Sequence, residues 1–303
     1  MPKKNIDISK ITDFQDKIAV VTGANSGFGF FIAKKLAEKG IMVVFACRNE
    51  QKATVAMQKI MSEMPTAKLD FIRLDLSDLS SIRHFVKIYK EQYKSINLLI
   101  NNAGILFVPH AITNDGFEQI FQTNYLGHFL LVNLLLPLFP DESKSKIITQ
   151  SSVMYKLGKI HFNDFNLTKR YSKVVAYTQS KLAATLFALE LQRRLELNNK
   201  KIQSVLAHPG VSIETDILKN KIIKSIAIKV CSFFSQPAEK GAMSAVAAAL
   251  SDEVKGGEFI GLNGFIQGKG EPVKISISPK ATNKETAKKL WEMSCKLCQI
   301  SEE

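Results

Sequence analysis

The sequence predicts a single α/β domain built on a doubly wound parallel sheet of about seven strands. Short apolar runs alternate with amphipathic helical stretches along all 303 residues, a pattern typical of parallel strands covered by helices on both faces. No Pro-, Gly- or Ser-rich linker divides the chain, so residues 1–303 are expected to form one domain. Hydrophobic residues make up 46% of the chain and charged residues 23%, which supports a large core and excludes wholesale disorder.

The predicted strands are short runs rich in Val, Ile and Leu. They are Lys17–Val21, Met42–Ala46, Leu69–Arg73, Asn97–Ile100, Ser145–Gln150, Ile202–Ala207 and Glu258–Gly261. Each strand except the first and the last is preceded by a stretch with apolar residues at helical spacing, such as Phe31, Ile32 and Leu36. Ligands of such sheets bind at the carboxyl ends of the strands, so the residues that follow each strand are the candidates for a functional site.

Simple counts exclude several classes of protein. The longest apolar run, 129–139, is about half the ~20 residues of a spanning helix, and no secretory signal follows Met1. Four cysteines do not make a disulfide framework. The single pair Cys295-x-x-Cys298 lacks a second pair or a nearby His, so we expect it to pack and predict no metal. The chain is expected to be cytoplasmic, without a transmembrane segment.

The net charge is +13, from 41 Lys and Arg against 28 Asp and Glu. Such an excess suggests nucleic acid or an anionic membrane as a partner. No helix-turn-helix, aromatic RNA platform or zinc module accompanies the lysines, so no nucleic acid is expected. Most of the lysines are predicted to lie on solvated surfaces, which leaves weak contact with a membrane surface as the other possibility.

A glycine-rich turn, residues 22–29 (T-G-A-N-S-G-F-G), joins the first strand to a helix. Glycine permits a tight turn and lets backbone N–H groups approach a pyrophosphate at the positive helix N-terminus. The spacing differs from the G-x-G-x-x-G of other dinucleotide sites, and a plain tight turn is the alternative. The position after the first strand favours a dinucleotide. The candidate contacts are Gly23, Asn25, Ser26, Gly27, Phe28 and Gly29.

The second strand indicates which dinucleotide binds. NAD sites place an acid near this end to bind the ribose 2′-OH, whereas here Arg48 follows the strand. A guanidinium suits a 2′-phosphate because it donates charged, bidentate hydrogen bonds. NADP(H) is therefore the predicted cofactor, with a solvated loop charge as the alternative. After the third strand, Asp75 with Leu76 would hold the adenine, while helix capping is expected for Ser77 and Asp78.

Small and amide side chains follow the fourth strand. Asn102, Ala103 and Gly104 permit close approach of a cofactor, although Asn101 and Asn102 could instead only stabilise the turn.

Tyr177 and Lys181 lie four residues apart in a helical stretch, hence on one face. A phenol with a pKa near ~10 is a poor base at neutral pH, but an adjacent ammonium would stabilise the phenolate and lower that pKa. The pair could then exchange a proton with an alcohol or carbonyl oxygen during hydride transfer. Ser151 and Ser152 close the fifth strand, where a hydroxyl can bond the substrate oxygen. Asn124 either binds backbone or holds a water for a proton relay.

Together these motifs resemble the short-chain dehydrogenase/reductase family over essentially the whole chain. The matching motifs are residues 22–29, residues 101–104, Asn124, Ser152, Tyr177-x-x-x-Lys181 and His208-Pro209-Gly210. The resemblance implies a Rossmann fold, with Tyr177 as acid/base and Lys181 bound to the nicotinamide ribose while lowering the Tyr177 pKa. It implies that Ser152 positions the carbonyl and Asn124 organises the relay. Backbone after Pro209 and Gly210, with Thr215, would contact the carboxamide.

Within the family, the chain is most similar to the retinol dehydrogenase-like branch. The likeness lies in residues 46–49 (A-C-R-N), 74–77 (L-D-L-S), 124–129 (N-Y-L-G-H-F) and 176–183 (A-Y-T-Q-S-K-L-A). The insert 154–175, which separates Ser152 from Tyr177, is a feature of that branch and supports Ser152 over Ser151. The segment before Thr215 is a residue longer than usual.

Residues 211–236 are predicted to form a substrate-binding lid. Apolar residues at 218, 222, 226 and 230 make one stripe among lysines, although the stripe could instead dock on the core or touch a membrane surface. An apolar lid favours a lipophilic aldehyde, ketone or retinol-like alcohol. A terminal amphipathic helix is predicted over 282–300. The family commonly forms dimers through helices equivalent to 117–138 and to the one ending at Glu196, so a homodimer is possible.

The sequence thus predicts an NADP(H)-dependent oxidoreductase that interconverts a carbonyl and an alcohol. One alternative is an NADPH-dependent C=C reductase of the protochlorophyllide-reductase type, which shares the Tyr-x-x-x-Lys motif. The other is a non-catalytic NADP-binding or sensing protein, although such a protein would not need Asn124, Ser152, Tyr177 and Lys181 together.

Overall fold

The computed structural model describes residues 5–7, 14–142, 144–211, 236–264 and 267–301. Their strands form one sheet in the order β3-β2-β1-β4-β5-β6-β7-β8. The strands are β1 (Ile18–Thr22), β2 (Met42–Cys47), β3 (Leu69–Arg73), β4 (Leu98–Asn101), β5 (Lys146–Gln150), β6 (Gln203–Ala207), β7 (Phe259–Leu262) and β8 (Pro272–Ile275). The helices are α1 (Gly27–Ala37), α2 (Glu50–Glu63), α3 (Leu79–Gln92), α4 (Gln119–Phe121), α5 (Gly127–Leu135), α6 (Lys173–Leu197), α7 (Ala238–Leu250) and α8 (Lys284–Cys298).

Strands β1 to β7 are parallel, and the strand order reverses between β1 and β4. This confirms the doubly wound sheet, and all seven predicted strands are present with bounds that agree within one residue. The sheet has an eighth strand, β8, which runs antiparallel to β7 and was not predicted. It has only 4 residues, begins with Pro272 and exposes Lys274, so its sequence lacks the apolar run of a central strand.

The sheet is buried on both faces. One set of strand residues, including Val20, Leu99 and Ile147, packs with the helices α3, α5, α6 and α8. The alternate set, including Val21 and Ile148, packs with α1, α2 and α7. Successive strand residues point to opposite faces, so burial of both faces explains why the strands are apolar throughout.

The long helix predicted over 117–138 is interrupted. It begins as α4, passes through a π-helical turn at Gln122–Leu126, continues as α5 and ends in a 3-10 turn at Leu136–Leu138. Such π turns insert one residue into a helix and often occur at functional sites. This one carries Asn124.

The C-terminal helix predicted over 282–300 is confirmed by α8. Its Trp291 ring lies 5.0 Å from the ring of Phe129 on α5 and 5.8 Å from that of Phe187 on α6. Cys295 and Cys298 are buried beside it, and burial raises the pKa of the Cys298 thiol to about 12. Both cysteines therefore pack in the core. No helix in the described ranges combines the length and hydrophobicity of a membrane crossing.

A buried lysine joins the sheet to α7. Lys146, at the start of β5, is 2% exposed. Its ammonium donates to the carbonyl oxygens of Ser251 at 2.7 Å, Val254 at 3.3 Å and Ala248 at 3.4 Å. A cation at the carboxyl end of a helix satisfies carbonyls that have no partner in the helix. Burial lowers the pKa of Lys146 from 10.5 to about 8.

Replacing Lys146 by Met should lower the free energy of unfolding by roughly 2–3 kcal/mol, because the buried carbonyls lose their donor. The pKa of Lys146 is lower in the folded chain, so the unfolded chain binds more protons between about pH 8 and 10.5. The contribution of Lys146 to stability therefore rises with pH in that window. Urea unfolding of both proteins from pH 7 to 10.5 should show their difference widening.

The matched control is Lys274→Met, since Lys274 lies on β8 with an exposed side chain paired to Glu258. An exposed ion pair contributes less than about 1 kcal/mol. Equal destabilisation by the two substitutions would contradict the role given to Lys146.

Candidate active site

The glycine turn packs against the end of β4. A Cβ on Gly29 would lie 2.3 Å from the carbonyl oxygen of Gly23 and 2.6 Å from Nδ2 of Asn102, so no other residue fits. Gly23 has a φ of +67°, which glycine adopts without strain. The N-cap residue of α1, Ser26, makes no capping bond with its side chain, and the first turn of α1 carries no acid. This helix end therefore suits an anionic group.

Asn102 holds the ends of β1, β4 and β5 together. Its Nδ2 donates to the carbonyl oxygen of Thr22 at 2.8 Å, and its backbone N–H donates to the Thr22 hydroxyl at 2.9 Å. Its Oδ1 accepts from Nε2 of Gln150 at 3.4 Å. The backbone N–H of Ala103 also donates to the Thr22 hydroxyl, at 2.9 Å. Asn102 thus stabilises the turn after β4, which was one of its two predicted roles. Its other predicted role, contact with a cofactor, stays a prediction.

A buried histidine extends this network to the π turn. His128 is 3% exposed, and burial lowers its pKa to about 3, so its ring is neutral. Its Nδ1 lies 3.3 Å from the carbonyl oxygen of Asn124, and its Nε2 lies 3.0 Å from the Thr22 hydroxyl. A carbonyl only accepts, so we assign the ring proton to Nδ1, which makes Nε2 the acceptor for Thr22. Neither His128 nor Thr22 was predicted to have this role, because their partners lie far apart along the chain.

Asn124 uses its side chain to hold the loop that follows β4. Its Oδ1 accepts from the backbone N–H of Ile105 at 2.7 Å, and its Nδ2 donates to the Ile105 carbonyl at 2.8 Å. Nδ2 also donates to the Ser180 hydroxyl on α6 at 3.0 Å. The prediction that this amide binds backbone is therefore met, whereas the water relay stays a prediction.

Lys181 is 7% exposed on α6. Its ammonium donates to the carbonyl oxygen of Gln150 at 2.9 Å and lies 5.9 Å from the ring centre of Tyr177. Burial lowers the pKa of Lys181 to about 8. The carbonyl of Gln150 is a partner that the sequence did not indicate, because a backbone acceptor leaves no signature in residue types.

Tyr177 is half-buried one turn before Lys181. Burial raises the pKa of Tyr177 above 10. A hydrogen bond from Ser152 lowers the same pKa, but by less than burial raises it. The direction is thus opposite to the expected effect of an adjacent ammonium. The Lys181 ammonium is directed at the Gln150 carbonyl, and loss of hydration outweighs the remaining attraction.

The two serines that follow β5 have different partners. The Ser151 hydroxyl lies 2.7 Å from the Thr185 hydroxyl and bonds the carbonyl of Lys181 at 3.4 Å, so it ties the strand to α6. The Ser152 hydroxyl contacts the phenol of Tyr177 and accepts from the backbone N–H of Met154 at 3.3 Å. The structure therefore brings Ser152, and not Ser151, to the pair Tyr177 and Lys181.

Arg48 and Asp75 meet at the ends of β2 and β3. Nη1 of Arg48 lies 3.9 Å from Oδ2 of Asp75, and the Arg48 side chain is 69% exposed. The other Asp75 oxygen accepts from the backbone of Ser77 at 3.0 Å and from its hydroxyl at 2.6 Å. Asp78 caps α3, as predicted, whereas Ser77 does not. Arg48 presents an exposed cation on the edge that carries the glycine turn.

At the end of β6, Gly210 has a φ of +76°, and a Cβ on it would lie 2.5 Å from the carbonyl of Gly268. Next to Pro209, the buried His208 has its pKa lowered to about 4 by burial. Thr215 and nearly all of the predicted lid 211–236 lie outside the described residues.

The donors and acceptors at this edge fit a dinucleotide. The N-terminus of α1 suits a pyrophosphate, Arg48 suits a 2′-phosphate, and the Lys181 ammonium suits ribose hydroxyls. Among the described residues, Oε1 of Gln150 and Oδ1 of Asn101 are buried acceptors without a hydrogen-bond partner. Buried polar atoms seldom lack a partner, so these two fit the donors of a ligand.

Residues 17–225 match the short chain dehydrogenase family. The chain is 35% identical to mouse retinol dehydrogenase 12 over 286 residues, which cover 94% of this chain and 87% of that protein. It is 34% identical to human polyprenol dehydrogenase over 292 residues, 94% of this chain and 86% of that one. The solved structure of an uncharacterised protein from Mycobacterium paratuberculosis matches with a TM-score of 0.80 and 33% identity, covering 99% of this chain and all of that one.

The matches to the two relatives and to the solved structure extend over nearly the whole chain. The family match covers residues 17–225, which include the motifs that meet at the carboxyl edge of the sheet. Oxidoreductases of this family use nicotinamide cofactors and act on alcohol or carbonyl groups. The chain belongs to the short-chain dehydrogenase/reductase family, in its retinol dehydrogenase-like branch.

Proposed function

We propose that the protein is an NADP(H)-dependent oxidoreductase that interconverts a lipophilic carbonyl compound and its alcohol. The convergence of Tyr177, Ser152 and Lys181 beside the glycine turn carries the proposal. The names of two relatives, retinol dehydrogenase 12 and polyprenol dehydrogenase, point to lipophilic alcohols. The apolar residue types at 218, 222, 226 and 230 of the sequence, within the predicted lid, agree with such a substrate. The cytoplasmic location and the homodimer stay predictions.

Tyr177 is the proton donor in the direction of reduction. Its pKa lies above 10 because it is buried, so the phenol keeps its proton at neutral pH and can donate it to a carbonyl oxygen. The Ser152 hydroxyl, in contact with the phenol, can donate a second hydrogen bond to that oxygen as negative charge develops. A bound NADPH would supply the hydride.

Lys181 compensates for the charge that Tyr177 acquires. Proton donation leaves a phenolate, and the Lys181 ammonium lies 5.9 Å from the centre of that ring. In a site with little water this attraction is stronger than in solvent. The carbonyl of Gln150 holds the ammonium at 2.9 Å, which keeps it close to the phenolate without neutralising it.

Tyr177→Phe should abolish reduction of aldehydes, with kcat lowered about 10²–10⁴-fold, because the proton donor is removed. Binding of NADPH, measured by fluorescence titration, should change by less than about threefold, since the ring is kept. The control is Tyr93→Phe, whose hydroxyl contacts Asp70 instead. Retained turnover in Tyr177→Phe would exclude Tyr177 as the donor.

Arg48→Asp should raise the dissociation constant for NADPH about 10- to 100-fold, because a charge-assisted contact to the 2′-phosphate is replaced by repulsion. Affinity for NADH, which lacks that phosphate, should change by no more than about threefold. Arg73→Asp provides a matched charge reversal on the exposed end of the neighbouring strand β3. An equal loss of NADPH and NADH affinity in Arg48→Asp would contradict selection of the phosphate.

The rate of reduction should fall as the pH rises through about 8, the pKa of Lys181. Above that pH the lysine is neutral and no longer stabilises the phenolate left on Tyr177. In Lys181→Arg the cation persists at all working pH values, so the step near pH 8 should vanish even if the rate is lower. An unchanged step in that variant would assign the titration to another group.

A further inference from the structure

Phe107 lies in the loop after β4 with a backbone conformation that aromatic residues seldom adopt. Its φ is +54°, in the left-handed region where a Cβ meets the following carbonyl. Phe107 is 36% exposed, so part of its surface faces solvent although most of it is packed. Strained residues of this kind cluster at sites where the strain serves a function.

The chain on both sides of Phe107 is fixed. On one side, Asn124 holds the backbone of Ile105 through two hydrogen bonds of 2.7 and 2.8 Å. On the other, the Tyr171 hydroxyl donates to the carbonyl oxygen of Val108 at 3.1 Å. These contacts fix the backbone at Ile105 and Val108 and so restrict the conformation of the two residues between them. The surrounding structure therefore imposes the left-handed conformation of Phe107.

The strained turn places the Phe107 ring against the proposed proton donor. The ring centres of Phe107 and Tyr177 are 5.7 Å apart, with the planes inclined by 55°. Part of the Phe107 surface is exposed to solvent. A carbonyl oxygen bonded to the Tyr177 hydroxyl would bring the carbon atoms next to the carbonyl within reach of that surface. A flat, unsaturated group stacks on an aromatic ring better than a flexible saturated chain does.

We propose that Phe107 is a specificity-determining residue, which selects carbonyl compounds whose carbonyl is joined to a planar unsaturated or aromatic group. The inference rests on the proposed function, because it takes Tyr177 as the group that meets the carbonyl oxygen.

The test compares trans-cinnamaldehyde with 3-phenylpropanal, which has the same size but a flexible, saturated link. Phe107→Asn removes the ring while keeping a residue that tolerates the left-handed conformation, and Phe107→Tyr retains the ring as the matched control. In Phe107→Asn, the ratio of kcat/KM for cinnamaldehyde to kcat/KM for 3-phenylpropanal should fall at least fivefold. The fall should come from a higher KM for cinnamaldehyde. The ratio in Phe107→Tyr should stay within twofold of the wild type. Comparison between variants cancels the different intrinsic reactivity of the two carbonyls.

The melting temperature is the control for folding. Relief of the strain offsets the lost packing of the ring, so the melting temperature of Phe107→Asn should stay close to that of the wild type. A lost preference then reports the ring and not a damaged fold. A purely structural ring would give the reverse, with a lower melting temperature and an unchanged ratio, and would overturn the inference.

Calorimetric binding of both aldehydes separates this inference from the proposed function. If Tyr177→Phe binds cinnamaldehyde at least fivefold more tightly than the double variant with Phe107→Asn, the inference stands even where no protein turns over. If the wild type reduces aldehydes and the ratio survives in Phe107→Asn, the proposed function stands and the inference fails. Absence of both turnover and binding refutes the inference.

Discussion

Three hydrogen bonds from one buried amide hold the site together. The Asn124 side chain binds both backbone groups of Ile105 and the hydroxyl of Ser180. It thereby joins the loop after β4 and the π turn to α6, the helix that carries Tyr177. The backbone carbonyl of Asn124 accepts a hydrogen bond from His128, and His128 in turn contacts the hydroxyl of Thr22 at the end of β1. A shift in any of these segments would leave a buried polar group without a partner, which costs more than a hydrogen bond gains.

Burial sets the chemistry that this scaffold can support. Loss of hydration lowers the pKa of Lys181 and raises that of Tyr177, so both groups favour their neutral forms more than they would in water. At neutral pH Tyr177 therefore carries the proton that a donor needs, although the raised pKa makes it a weaker acid than a phenol in water. In the reverse direction, an alcohol would have to lose its proton to a phenolate that forms only at high pH or with strong charge compensation.

The features that could be predicted from the sequence are those whose physical cause determines the residue types. The parallel strands are buried on both faces, so their apolar runs were visible, and Asp78 was identified as a cap from its position before α3. The features that could not be predicted depend on contacts between residues that lie far apart in the sequence. The π turn at Gln122–Leu126 contains no glycine or proline, so nothing in the residue types marks the interruption of the helix. The left-handed turn at Phe107 was not predicted either, because no glycine marks it. Ser152, by contrast, was preferred over Ser151 from the resemblance, and the partners of the two hydroxyls agree with that choice.

Phe107 and Lys181 share a property that sets them apart from the core. Each adopts a state that is unfavourable by itself, one a left-handed aromatic residue and the other a desolvated ammonium. Each is fixed by a side chain that donates to a backbone carbonyl, Tyr171 to Val108 beside Phe107 and Lys181 to Gln150. Lys146 is desolvated as well, but it satisfies three carbonyls at a helix end and so contributes to folding. Lys181 satisfies one carbonyl, and Phe107 leaves about a third of its surface exposed. Both unfavourable states lie next to Tyr177. This is the distribution expected when local strain maintains a reactive geometry.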